Sequence, residues 1–177
     1  MLEREFDIIK RAKGGDKEAF AQLYEHYHPP IYRFVVLKVS MRQEAEDLTH
    51  EVFLSAWQKL PRFKHRGLPF SSWLYRIARN RVIDFYRTQK KHLNLEDAAG
   101  HPQFIDEPTQ GILADVNIDM RRVQSAMESL TADQQDVLIL RFIEEYSTKE
   151  IAQMMKKQEG TVRILQHRAL KAIEKYL

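Results

Sequence analysis

The chain contains no cysteine, and its 177 residues include only six glycines and six prolines. The missing cysteine excludes a disulfide scaffold, a thiolate zinc site and a cysteine nucleophile. It also fits a reducing compartment. Few breakers beside many Leu, Ile, Glu, Lys, Arg and Gln favour helices. No window of about 18 consecutive apolar residues is present, so no membrane insertion is expected. Residues 1–20, MLEREFDIIKRAKGGDKEAF, alternate charged and apolar positions without a hydrophobic run and do not read as a secretory signal. No repeat of fixed period is found. What is present is 44% hydrophobic and 30% charged residues. That balance argues for a folded chain, of a length suited to one ordinary domain or two small ones.

The formal net charge is only +3, but the charges are segregated. Residues 62–92 carry nine basic side chains against the single acid Asp84. Residues 93–119 carry Glu96, Asp97, Asp106, Glu107, Asp115 and Asp119 with no Lys or Arg. Residues 156–177 are basic again, with six cations and two acids. Two basic stretches around an acidic one suit two contacts with a polyanion, nucleic acid first among them, although solvated helices can also cluster charge. The acidic stretch holds Gly100, Pro102, Pro108 and Gly111 and lacks helical periodicity. It reads as a linker over 91–116, between a helical domain at 1–90 and another at 117–177. The expected fold is all-α, two small helical domains joined by a flexible acidic linker.

In the first domain, helices are expected over 5–13 and 16–27, broken at Gly14-Gly15, with Asp16 as N-cap. Pro29-Pro30 would open the next helix. Ser40 with Gln43 has the form of a capping box for a helix ending near Pro61. Glu44, Asp47 and Glu51 recur at three and four residues on it, an acidic stripe that suits either a basic partner or solvent. From Phe70 to Arg87 the pattern is fully helical. Phe70, Leu74, Ala78 and Phe85, flanked by Ile77 and Val82, form the core stripe. Arg76, Asn80 and Arg87 fall within about 40° of one another on a second stripe, with Trp73 and Asp84 at its edge. Guanidinium groups there can grip phosphates, and an amide or indole can contact bases. Trp73 also reads as a half-buried core aromatic. Arg81, near the apolar stripe, suits pairing with a carboxylate. The loop before this helix, Arg62 to Pro69, is basic and kinked, and includes Lys64, His65 and Arg66.

In the second domain, Thr131-Ala132-Asp133-Gln134 and Ser147-Thr148-Lys149-Glu150 are capping boxes. The second opens a short helix with Ile151, Ala152 and Met155 inward. After a turn at Lys156–Glu159, a helix from about Gly160 to Tyr176 buries Val162, Leu165, Ala169, Ala172, Ile173 and Tyr176. Its other face carries Thr161, Arg163, Ile164, His167, Arg168 and Lys171. A short helix, a tight turn and a longer basic helix make a helix-turn-helix, whose second helix enters the major groove.

Glu46-Asp47-Leu48-Thr49-His50-Glu51-Val52-Phe53, followed by Trp57, resembles the region 2 helix of extracytoplasmic-function (ECF) sigma factors. Phe70-Ser71-Ser72-Trp73-Leu74-Tyr75-Arg76-Ile77-Ala78-Arg79-Asn80, through Asp84 to Arg87, resembles the promoter-melting segment of that region. Leu130-Thr131, Ile151-Ala152 and Gly160-Thr161-Val162-Arg163 through His167-Arg168-Ala169 resemble region 4. The resemblance runs through nearly the whole chain in the same order. It implies a cytoplasmic, non-catalytic factor without cofactor or metal, which binds core bacterial RNA polymerase, directs it to promoter DNA and is held by an anti-sigma factor. It implies polymerase contacts through Asp47, Leu48, Glu51 and Phe53. It implies −10 element contacts through Lys64, His65, Arg66, Trp73, Arg76, Asn80 and Arg87. It implies −35 element contacts through Lys149, Thr161, Arg163, Ile164, His167, Arg168 and Lys171. The linker would thread toward the polymerase cleft. Departures are His50, where the family usually has Gln, the charged turn Lys156–Glu159, and Ile164-Leu165-Gln166 before His167-Arg168.

Two rival readings are a helix-turn-helix regulator that works without polymerase, and an enzyme. The regulator needs neither the basic loop with Trp73 and Asn80 nor the acidic stripe. For an enzyme the candidates are Glu25, His26 and His28, or His50 with Asp47 and Glu51. His26 and His28 are two apart and face different sides of a helix. His50 lacks a second histidine at metal-binding spacing, and no glycine-rich phosphate loop is present.

Overall fold

The computed structural model of the chain describes residues 4–39, 41–64, 69–96, 123 and 126–176, with backbone only for 90–96 and 175. Among them every regular element is helical. The N-terminal unit consists of α1 (Glu5–Lys13), α2 (Lys17–Val39), α3 (Arg42–Lys59) with a 3-10 turn at Leu60–Arg62, and α4 (Phe70–Glu96). The C-terminal unit consists of α5 (Ala132–Leu138) continuing into a π-turn at Ile139–Ile143, α6 (Thr148–Met155), and α7 (Glu159–Ile173) with a closing 3-10 turn at Glu174–Tyr176. The expected linker lies largely outside the described residues, although α4 runs past residue 90 to Glu96.

Local chemistry sets several boundaries. The Ala19 N–H donates to Asp16 Oδ1 at 3.0 Å, so Asp16 caps α2. That backbone donor and the Arg11 guanidinium hold the Asp16 carboxyl below its ordinary range. Both capping boxes of the C-terminal unit close reciprocally, Thr131 with Gln134 and Ser147 with Glu150. The turn after α6 is a Schellman motif. The Lys157 N–H reaches Ala152 O at 2.8 Å and the Lys156 N–H reaches Gln153 O at 3.3 Å. Lys156 takes the left-handed conformation, φ 54°, that glycine usually fills. This resolves how a charged turn packs: Lys156 is exposed.

Two expectations are corrected. Pro29 and Pro30 do not open a helix; they lie inside α2. Proline withholds the N–H that Glu25 O and His26 O would accept, but both residues are exposed and water can serve those carbonyls. Burial of Tyr27, Ile31, Phe34 and Val35 on the other side outweighs the break. The α3 cap is Met41, without a side-chain hydrogen bond. Ser40, the residue expected there, is outside the described residues.

Helix α2 is the hub of the N-terminal unit and packs on α1, α3 and α4. Leu23, Ile31, Phe34 and Val35 meet Val52 and Ala56 of α3 and Phe70, Leu74, Ala78 and Val82 of α4 in a continuous apolar interior. The expected core stripe of α4 is buried except Phe85, which is half-buried. In the C-terminal unit Val137, Ile139, Ile151 and Val162 are fully enclosed. Phe34→Ala should cost about 3–5 kcal/mol in urea unfolding, whereas Leu54→Ala, on the surface, should stay within about 0.5 kcal/mol. Lys156→Gly should stabilise the C-terminal unit by about 1 kcal/mol, because it removes a left-handed non-glycine residue. A loss of stability in that variant would refute the reading of the turn.

Candidate nucleic-acid and partner interfaces

Two edges of the N-terminal unit present functional side chains. The first is α3. Asp47 and Glu51 are exposed, and Glu51 faces Arg81 at 3.5 Å. That contact gives Arg81 the carboxylate partner anticipated for it, though an exposed pair at this distance contributes little. Leu48 and Phe53 point inward, 7% and 4% exposed, so they position α3 and do not form its surface. The apolar residue that α3 does present is Leu54, 59% exposed. It borders a groove of about 390 Å³ lined by Phe20, Tyr24, Phe53 and Trp57, with Lys17 and His50. Sequence reasoning missed this groove. Its signal was the pair of aromatic i,i+4 steps, Phe20–Tyr24 on α2 and Phe53–Trp57 on α3. His28 lies beside it, 5.0 Å from the Tyr24 ring and stacked at 6.1 Å on Phe53. Burial, and then the neighbouring His50, pushes the His28 pKa below 6.5.

The second edge is α4 and the chain before it. Phe63, Phe70 and Trp73 form an aromatic cluster with ring centroids 4.9 to 5.5 Å apart. Trp73 is therefore a half-buried packing residue with one side open. The Lys13 ammonium donates to Phe63 O at 2.6 Å and fixes the start of the basic loop. Lys64 is exposed, whereas His65 and Arg66 lie outside the described residues. Arg76 is half-buried, and among the described residues its Nε has no hydrogen-bond partner. Ser72, one turn earlier, has a buried hydroxyl in the same condition, which no sequence pattern had marked. Asn80, one turn later, is exposed. Arg87 is exposed and pairs with Asp84 at 3.1 Å.

The C-terminal unit has one basic outer face. Thr161, Arg163, Ile164, His167, Arg168 and Lys171 on α7 are all exposed, as is Lys149 on α6. Arg163 approaches Glu159 at 3.5 Å, and Ile164 is 54% exposed. The α6–turn–α7 geometry is a helix-turn-helix with that face free.

Comparison with known proteins matches the same two units. Residues 23–92 match the Sigma-70 region 2 model, and residues 126–175 match the Sigma-70 region 4 model. The chain is 32% identical to the ECF RNA polymerase sigma factor SigW of Bacillus subtilis, over 96% of this chain and 94% of that protein. The chain belongs to the ECF sigma factor family. It is likewise 32% identical to the ECF sigma factor BldN of Streptomyces coelicolor over 98% of its length, and spans 66% of BldN. Among solved structures it superposes on the sigma factor RpoE of Bartonella quintana, bound to the anti-sigma factor NepR. The TM-score is 0.72 at 25% identity, covering 89% of this chain and 95% of that one. CnrH, bound to the cytosolic domain of CnrY, shares the fold at TM-score 0.74 and 21% identity, covering 96% and 94%. Family membership makes the chain a transcription-initiation factor and not an enzyme. A helix-turn-helix regulator without polymerase accounts for the second match only.

Because folded His28 takes up its proton less readily than the unfolded chain, its contribution to stability is complete above pH 6.5 and is lost as the pH falls below that value. An NMR titration should place the His28 midpoint below 6.5. A midpoint above it would mean that the groove edge is open to water.

Proposed function

We propose that the chain is an alternative sigma factor whose work divides among three surfaces. Asp47 and Glu51 on α3, with the Leu54 groove beside them, meet core RNA polymerase. Lys64, Arg76, Asn80 and Arg87, with the open side of Trp73, bind and melt the −10 element; His65 and Arg66 belong to the same loop. Lys149 and the α7 residues Thr161, Arg163, Ile164, His167, Arg168 and Lys171 read the −35 element. Leu48 and Phe53 serve the polymerase contact by positioning α3. The three segments correspond to a region 2 domain at 1–90, a linker at 91–116 and a region 4 domain at 117–177. The factor works in the cytoplasm with the polymerase. Among the described residues no helix is long and apolar enough to cross a membrane. An anti-sigma factor is a further partner, by analogy with the NepR-bound relative.

The observation that carries the −10 assignment is the Arg76–Asn80 pair. Half-buried Arg76, whose enclosed Nε–H has no acceptor among the described residues, sits one turn from the exposed Asn80 amide on one stripe of α4. A buried donor without a partner is costly, and a phosphate or base edge supplies the acceptor.

Asn80→Ala should slow promoter opening by about ten-fold, the loss of one amide-to-base contact, while binding to core polymerase is unchanged. Permanganate footprinting beside a core pull-down reads both; equal loss of both would remove Asn80 from the base-reading role. Asp47→Arg should weaken core binding by about ten-fold through charge reversal at an interface. Unchanged affinity would take Asp47 out of the polymerase contact. Duplex binding by the free chain should fall steeply with salt, and Lys171→Ala should lower the slope by about one.

A further inference from the structure

The outer face of α7 changes chemistry along its length. At 3.6 residues per turn Gly160, Ile164, His167 and Lys171 fall within about 60° of one another. They point away from the buried Val162 and Ala169. The C-terminal half of this stripe, His167 and Lys171 with Arg168 beside them, is basic. The N-terminal half is not. A Cβ at Gly160 would meet no atom within 4 Å, so packing does not demand its bare backbone. Thr161 adds an exposed methyl and hydroxyl. Arg163, the one cation in the first two turns, leans back toward Glu159 at 3.5 Å. Ile164 is left as a large apolar side chain in the open. The core has no use for it there, because Val162, Leu165 and Ala169 already fill the inner side of α7.

We propose that Ile164 is a specificity-determining residue that packs on the 5-methyl group of thymine in the upstream promoter element; this rests on the −35 role proposed above and gives it a chemistry. The surroundings of Ile164 select the ligand. An apolar side chain among Arg163, Arg168 and Lys171 is poorly matched to the core of a protein interface, which is depleted of charge. The major groove offers both kinds of surface at once. Thymine methyl groups stand among the base edges, and phosphates line the rim. The direction of α7 agrees. In a helix-turn-helix the N-terminal residues of the second helix meet base edges. That end of α7 carries Gly160, Thr161 and Ile164, while the basic residues lie farther along. Ile164 has no hydrogen-bonding group, so it tells thymine from cytosine or uracil by the methyl alone.

The test removes single methyl groups from the DNA and leaves the protein untouched. The full chain is assembled with core polymerase and bound to a promoter duplex whose upstream element is known from sequenced RNA 5′ ends. Each thymine of that element, on either strand, is replaced in turn by deoxyuridine. At one position or two adjacent ones the replacement should weaken binding about four-fold, the burial of one methyl group. 5-Bromodeoxyuridine at the same positions should restore binding, because bromine fills the space of the methyl. Ile164→Ala should weaken binding to the parent duplex by about four-fold or more and make deoxyuridine neutral there. Ile164→Val should keep a methyl effect. An upstream element without thymine, or one in which every deoxyuridine is neutral, would overturn the proposal. So would an Ile164→Ala holoenzyme that keeps the full methyl effect, or an Ile164→Ala chain whose loss lies in binding core polymerase. Transcription starts that share no upstream motif would strike the −35 role itself, and this inference with it; a bound motif that is insensitive to its methyl groups would strike this inference alone.

Discussion

Asp136 is an acid on the buried side of a short helix, beside Val137 and Leu138, and two cations from the other half of the chain come to it. Lys38 closes the last turn of α2, and Arg79 sits in the middle of α4. Removing one partner of such a cluster leaves the rest buried and uncompensated, a cost of about 3–5 kcal/mol. The same cations in water would need no partner. The contact therefore fixes how the two units face each other, within a core that both share. It also fixes the facing of α4, whose Arg79 turns to α5 while Arg76 stays half-buried and Asn80 exposed on another side.

That division of labour along one helix follows from the 3.6-residue period. Phe70, Leu74, Ala78 and Val82 bury one stripe, and Tyr75 and Arg79 take the stripe toward the C-terminal unit. Arg76 and Asn80 take a third. A single helix thus supplies core, inter-unit contact and the side chains proposed to meet DNA, and substitutions one residue apart along it should act on different properties. Helix α3 repeats the logic on a smaller scale: Leu48 and Phe53 face inward, and Asp47 and Leu54 face outward.

What was legible in the sequence was local chemistry. The Thr131 and Ser147 capping boxes, the Asp16 cap, the core stripe of α4 and the basic face of α7 all rest on residues a few positions apart. What was not legible depends on distant partners. Pro29 and Pro30 read as a helix start, and only packing of Ile31 and Phe34 against α4 keeps α2 continuous through them. Leu48 and Phe53 matched a surface motif, yet their neighbours in α2 bury them. The Asp136 cluster joins residues 98 and 57 positions apart, a separation no periodicity reports. The groove beside Leu54 was written in two aromatic i,i+4 steps, but its openness depends on how α2 and α3 pack.

An ECF sigma factor brings core polymerase to promoters, and the reading proposed for this chain has its two helical units recognise two promoter elements. Transcription in vitro tests it most directly, with this protein added to sigma-free core RNA polymerase on a library of bacterial genomic DNA and the RNA 5′ ends sequenced. Discrete starts should appear, preceded by two shared motifs, one near −10 and one near −35, and should vanish when the protein is omitted. Starts with no shared upstream motif, or no starts beyond those of core polymerase alone, would contradict it.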